Sequence, residues 1–164
     1  MHITQQYYQN KPSLFLMNTE QQEYISLISR STHDDILIKK TGWEAINFQE
    51  HAHEKFQIIY TLSGTLHVET GGVNYFVPEK HIAWIPEKAS HKLSSNSRQV
   101  SLIIFYINLN ITPDDGKNRF SIYSTNGIIA ENLKFIASKG KVITRGKQTD
   151  LYNFALSFSI YFHK

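Results

Sequence analysis

The 164 residues include no cysteine. Disulfides and thiolate zinc sites are therefore excluded, and any transition metal would have to be held by imidazole, carboxylate, amide or water ligands. Long apolar runs are also missing. The longest, such as "SLIIFYINL" from Ser101, falls short of the roughly 20 residues a membrane-spanning helix needs. Charge of one sign is scarce: seventeen Lys and Arg stand against fourteen Asp and Glu, for a net +3. With the basic residues spread along the chain, charge makes only a weak case for nucleic acid and reads as solubility. The opening "MHITQQYYQNKPSLFLMNTEQQ" lacks the basic, apolar and small-residue segments of a secretory leader, so a cytoplasmic location and no membrane contact are expected. No Gly-x-Ser-x-Gly elbow, Walker loop or dinucleotide fingerprint occurs, which leaves nucleophilic hydrolysis and nucleotide chemistry without support.

What is present is 41% hydrophobic and 13% aromatic residues, enough for one substantial core. Residues 19–30 read as a short helix, with a Thr19/Gln22 capping pattern and Tyr24, Leu27 and Ile28 on one side. From Ile36 onward, short β-branched and aromatic runs separated by turn residues predict antiparallel strands at 36–39, 45–48, 56–62, 65–70, 73–78, 81–85, 91–94 and 100–109. Ser63-Gly64 and Gly71-Gly72 suit two-residue hairpin loops. Strands this short and numerous predict a closed barrel or jelly roll.

After Pro113 the period becomes helical. Asn126 is placed to cap a helix whose Ile129, Leu133 and Ile136 share a face, with Gly140 at its C′ position. "KGKVITRGK" reads as a solvated linker. A last helix from about Asp150 carries Leu151, Phe154, Phe158 and Phe162 at helical spacing, an apolar stripe to be covered by the barrel or by a partner chain. The division expected is an N-terminal arm with a short helix (1–35), a β-barrel (36–112) and a C-terminal helical dimerisation or linker region (113–164).

The chemistry concentrates in "HAHEKFQIIYTLSG", residues 51–64. On a strand, residues two apart point the same way, so His51, His53 and Gln57 share a parity. Antiparallel pairing can bring His91, which follows the turn "IPEKAS", beside them. Three imidazoles and an amide suit a borderline divalent metal, or equally a polar ligand pocket. None of the four is an anion, which favours the pocket. Glu54 points the other way unless a bulge intervenes. Trp43, Phe48, Tyr60, Trp84, Phe105 and Tyr106 are candidates to wall a cavity, with Tyr60 and Trp84 the preferred ligand contacts.

These residues resemble the cupin superfamily. His51, His53 and Gly64 match its first motif, and Pro86, His91 and Asn96 its second, over residues 42–107. Gln57 stands where that family places its metal-binding carboxylate. More closely, "HEKFQIIYTLSGTLHVETGGVNYFVPEKHIAWIPEKASHKL" is similar to the N-terminal effector-binding domain of AraC-type transcriptional regulators. The resemblance implies a cupin-like double-stranded β-helix that is mainly β. It also implies a small-molecule effector, with a sugar or a small aromatic acid as candidates, and a homodimer formed through Leu151, Phe154, Phe158 and Phe162. DNA would be contacted only through helix-turn-helix units absent from this chain, so a piece of a longer regulator is favoured over a stand-alone sensor. No cofactor is expected on this reading. The alternative is a metal-dependent cupin enzyme, an isomerase or dioxygenase, holding a divalent transition metal on His51, His53, Gln57 and His91.

Overall fold

The computed structural model describes residues 19–109 and 118–161. Helix α1 (Thr19–Arg30) is followed by strands β1 (Asp35–Lys40), β2 (Asn47–His51), β3 (Phe56–Ser63), β4 (Thr65–Thr70), β5 (Val73–Pro78), β6 (His81–Ile85), β7 (His91–Ser94), β8 (Ser101–Ile107) and β9 (Ser121–Ser124). Helix α2 (Gly127–Ala137), strand β10 (Val142–Thr144) and helix α3 (Thr149–Tyr161) complete it. No helix is long and apolar enough to cross a membrane among the described residues.

The pairing follows one rule. β1 pairs with β8, β2 with β7, β3 with β6 and β4 with β5, all antiparallel. This is a single long hairpin rolled up so that successive pairs alternate between two sheets. The sheets run β10-β1-β8-β3-β6-β9 and β2-β7-β4-β5, the arrangement of a jelly roll.

The large sheet has its four central strands, β1, β8, β3 and β6, buried on both faces. Its inner residues, among them Leu37, Ile59, Ala83, Ile85, Leu102 and Ile104, meet Phe48, Leu66, Val68, Val77 and Leu93 of the small sheet. Its outer residues, Ile36, Ile38, Ile58, Tyr60, Trp84 and Phe105, are covered by Ile129, Leu133 and Ile136 of α2 and by Tyr152 and Ala155 of α3. Consecutive apolar residues, as in Ile36-Leu37-Ile38 of β1, are the expected signature of such a two-sided strand. The small sheet turns its other face to solvent and keeps the simple alternation, with Leu66 and Val68 fully buried and His67 between them partly exposed.

Several expectations change. Gly71 and Gly72 do form a tight hairpin, both with positive φ, between Thr70 and its partner Val73. Ser63-Gly64 does not: β3 and β4 lie in different sheets, so this is a corner. Gly64 is required there because φ is +83° and an added Cβ would lie 2.6 Å from the Gln99 carbonyl oxygen. The strand expected at 45–48 begins at Asn47 and runs to His51. Within the stretch read as helical and linker, Ser121–Ser124 pairs with β6 and Val142–Thr144 with β1. Both were missed because three- and four-residue edge strands have too little periodicity to show. Asn126 caps α2 as expected, its Oδ1 accepting the Ile129 N–H at 2.9 Å. Ser138 closes the helix, so Gly140 falls two residues past the cap.

Candidate functional site

The three histidines meet between the sheets, at the end where β2 and β7 run out. His51 ends β2 directly opposite His91, which opens β7. A register shift between Phe48 and His51 lets two residues three apart both face inward, which a regular strand forbids. His53 lies just past the strand end, in the link to β3. Gln57, fully buried, is the second residue of β3. The ring centroids of His51 and His91 are 4.4 Å apart, those of His53 and His91 5.1 Å and those of His51 and His53 5.6 Å. One ring nitrogen from each lies within 4.8 Å of the others, and all three side chains are buried.

Their protons are set by backbone carbonyls, which only accept. His51 Nδ1 is 2.7 Å from the Gln49 oxygen, His53 Nδ1 2.8 Å from that of Lys55, and His91 Nδ1 2.8 Å from that of Ala89. Each Nδ1 therefore carries the hydrogen, and each Nε2 keeps its lone pair while the ring is neutral. Burial favours that neutral form. It pushes His53 down to about 4, with His51 as a second positive neighbour adding to the effect. It also lowers His51, and it drives His91 well below the usual imidazole range, helped by repulsion from the other two rings. His53 Nε2 faces the Gln57 Oε1 at 3.0 Å, and the Gln57 Nε2 lies 3.4 Å from the Tyr106 hydroxyl. Two acceptors cannot bond, so a neutral His53 with its hydrogen on Nδ1 requires the amide turned over, its NH2 group donating to His53 and its oxygen accepting from Tyr106. His91 Nε2 is buried with no hydrogen-bond partner among the described residues, a costly state for a lone pair that a ligand would relieve.

This donor set fits a borderline divalent cation: neutral imidazoles with fixed tautomers, a nearby amide, and an orphaned nitrogen in the same cluster. Among the described residues it offers no anion. Glu50 and Glu54, the carboxylates that adjoin His51 and His53 in sequence, are both exposed, one accepting from the Ser90 hydroxyl at 2.9 Å and the other 3.8 Å from the Lys88 ammonium, so a metal held by this set would have neutral ligands.

Helix α1 covers the site. Gln21, 2% exposed, donates to the Gln49 carbonyl at 2.9 Å and accepts from the Gln49 N–H at 3.0 Å, as a paired strand would. The same amide nitrogen is 3.2 Å from His51 Nδ1. The shorter carbonyl contact keeps the imidazole proton, so the Gln21 contact is packing. An open cavity of about 480 Å³ lies between α1 and the 52–55 link, with Ile28, Thr32, His53 and Lys55 in its wall. Lys55 is pinned there, donating to Thr32 O, Asp35 O and Asn108 Oδ1 at 2.7–3.0 Å.

His51, His53, Gln57 and His91 thus come together. Tyr60 and Trp84 do not join them: both lie on the outer face of the large sheet beneath α2 and α3. Gln57 and Tyr60 are three apart on one regular strand, so they point to opposite faces. Phe105 shares that outer position, Trp43 is 55% exposed, and of the aromatic candidates only Phe48 and Tyr106 face the interior. On α3, Leu151 packs partly against the outer core. Phe154 is 37% exposed beside Phe135. The side chains of Phe158 and Phe162 lie outside the described residues, as does the "PSLFLM" patch of the arm. The sequence reading missed Gln21, Tyr106 as a partner of Gln57, and Lys39, whose parity with Leu37 in "ILIK" was the available signal.

Residues 41–123 match the profile of the AraC-like ligand-binding domain family, and the chain belongs to that family. The similar solved structures are distant. Two forms of ToxT from Vibrio cholerae strain SCE256, the apo form of a point variant and the wild type bound to an unsaturated fatty acid, superpose with TM-scores of 0.53 and 0.52 at 12% identity. They cover 78% and 80% of this chain and 55% of their own. An ethanolamine utilization protein from Salmonella typhimurium, EutQ, reaches a TM-score of 0.40 at 19% identity over 46% of this chain and 59% of its own. The chain therefore spans a little over half the length of these proteins. No curated protein matches it in sequence.

Proposed function

We propose that this chain is the effector-sensing and dimerisation domain of an AraC-like transcriptional regulator, in which a small molecule reaches the interior polar site and changes how α1 sits on it. Family membership gives the class. The observation that carries the reading is the tie between Gln21 of α1 and the backbone of Gln49 beside His51: a ligand that takes up His51 or His91 alters the seat of α1 directly. A ligand shifts such an equilibrium only by binding one arrangement more tightly, and a tenfold preference corresponds to about 1.4 kcal/mol. Dimerisation through the exposed side of α3, a DNA-binding domain elsewhere in the protein and a cytoplasmic location belong to the same proposal. A thermal-shift screen with sugars and small aromatic acids tests it. A stabilising compound whose effect is lost in His91→Ala is expected, and a screen in which no compound responds to that change would refute the sensing role.

The orphaned His91 Nε2 favours a second reading, a metal-dependent cupin enzyme of the isomerase or dioxygenase type. A bound divalent ion would there supply Lewis acidity. Elemental analysis after purification without nickel, compared between wild type and His53→Ala, separates the two: stoichiometric metal lost in the variant supports the enzyme, and a metal-free wild type supports the sensor.

A further inference from the structure

The interior contains a second polar group that the imidazole cluster does not include. Lys39 lies on β1 with a side chain only 2% exposed, on the face that looks between the sheets. Its ammonium sits 4.2 Å from the ring centroid of Tyr24 and 4.6 Å from that of Phe48. Among the described residues the one carboxylate that reaches it is Glu20 of α1, at 2.8 Å and itself half exposed, without the alignment of a directed hydrogen bond. Lys55 shows the contrast: three oxygens satisfy its ammonium. A buried cation with a single, solvent-facing counter-ion is poorly compensated, because its desolvation is complete and its partner's grip is screened by water.

We propose that Lys39 is the anchor for the carboxylate of a small ligand with an apolar body, and that Glu20 occupies the ligand's place while α1 is docked. The proposal rests on the sensing role argued above and names its ligand class. The apolar requirement follows from what α1 itself puts there: Tyr24, Leu27 and Ile28 pack onto the inner core alongside Phe48. An amphiphilic acid reproduces both parts of the helix, a carboxylate for Glu20 and hydrocarbon for the stripe. Glu20 and Gln21 are neighbours, one touching Lys39 and the other Gln49 and His51, so displacing Glu20 also disturbs the seat of α1 over the histidines. Tyr24 extends the coupling through its contact with the Ile38 carbonyl oxygen at 3.4 Å.

The test is a thermal-shift and calorimetric titration of the whole chain with octanoate and 3-phenylpropanoate, each against its uncharged amide at matched ionic strength. The acids are expected to bind at least about tenfold more tightly than the amides, as a charge-assisted contact requires. Lys39→Met, which keeps the volume and removes the charge, should abolish that preference, and Lys39→Arg should retain it. Glu20→Gln, which removes the internal competitor, should tighten acid binding by about threefold or more and make α1 more susceptible to protease. Equal binding of acids and amides would overturn the carboxylate anchor while leaving the sensing role intact. An unchanged acid affinity in Glu20→Gln would overturn the competition. Failure of both acids to bind would also refute the proposal, whereas the sensing role stands or falls on the His91→Ala comparison.

Discussion

Acid should unfold this domain earlier than its carboxylates alone would, and His53 sets the scale. The free imidazole takes up its proton near 6.5, whereas burial and its histidine neighbour hold His53 at about 4 in the fold. Between those values the unfolded chain binds the proton and the folded chain does not, so stability falls as pH drops and is full only above about 6.5. A gap of about 2.5 units at about 1.4 kcal/mol per unit makes the complete loss about 3 kcal/mol, of which about 2 kcal/mol is already gone at pH 5. His51 and His91 are displaced in the same direction and steepen the fall. Urea unfolding at pH 7.5, 6.5, 5.5 and 5.0, in parallel on wild type and His53→Gln, isolates the contribution, because most carboxylates remain ionised over that range. About 2 kcal/mol corresponds to a Tm shift of about 4–8 °C for a chain of this size. A wild type whose stability is flat from pH 7.5 to 5, or a His53→Gln variant with the same slope, would refute the buried neutral cluster.

Three further outcomes follow from particular contacts. Gln21→Ala removes both hydrogen bonds to the Gln49 backbone and should cost about 1–3 kcal/mol, with faster amide exchange in α1 than in the strands. Gly64→Ala should destabilise more than Gly71→Ala. Both need a left-handed backbone, at about 1–2 kcal/mol, but only Gly64 also faces the Gln99 carbonyl; equal losses by chemical denaturation would contradict the corner. Trp84→Ala, beneath α2 and α3, should cost about 3–5 kcal/mol. Effector or metal stoichiometry at the histidines should be unchanged in whatever fraction folds, as titration would show.

Most strand positions, the Gly71-Gly72 hairpin, the Asn126 cap and all three helices were legible because each depends on local chemistry: period-two or helical patterning, a φ only glycine adopts readily, a side-chain oxygen aimed at a free N–H. The convergence of His51, His53, Gln57 and His91 was legible too, although by a route the fold does not use. His53 lies beyond β2, and a bulge turns His51 inward, so shared strand parity was not the cause. Tyr60 and Trp84 show the opposite case. A strand buried on both faces reads as uniformly apolar, and no local pattern says which face looks toward the histidines and which lies under a helix.

Composition and spacing alone settled the class of fold, the kinds of ligand atom available and the absence of thiol chemistry, since these depend on which residues are present and how they alternate. The tertiary structure decided which aromatics belong to the site and that Ser63-Gly64 turns between sheets. It also decided that a lysine in "ILIKK" ends up inside with a glutamate from a preceding helix as its counter-ion. Those outcomes depend on how a long hairpin rolls up and what is laid over its open end, contacts between residues far apart in the chain that no window of neighbours contains.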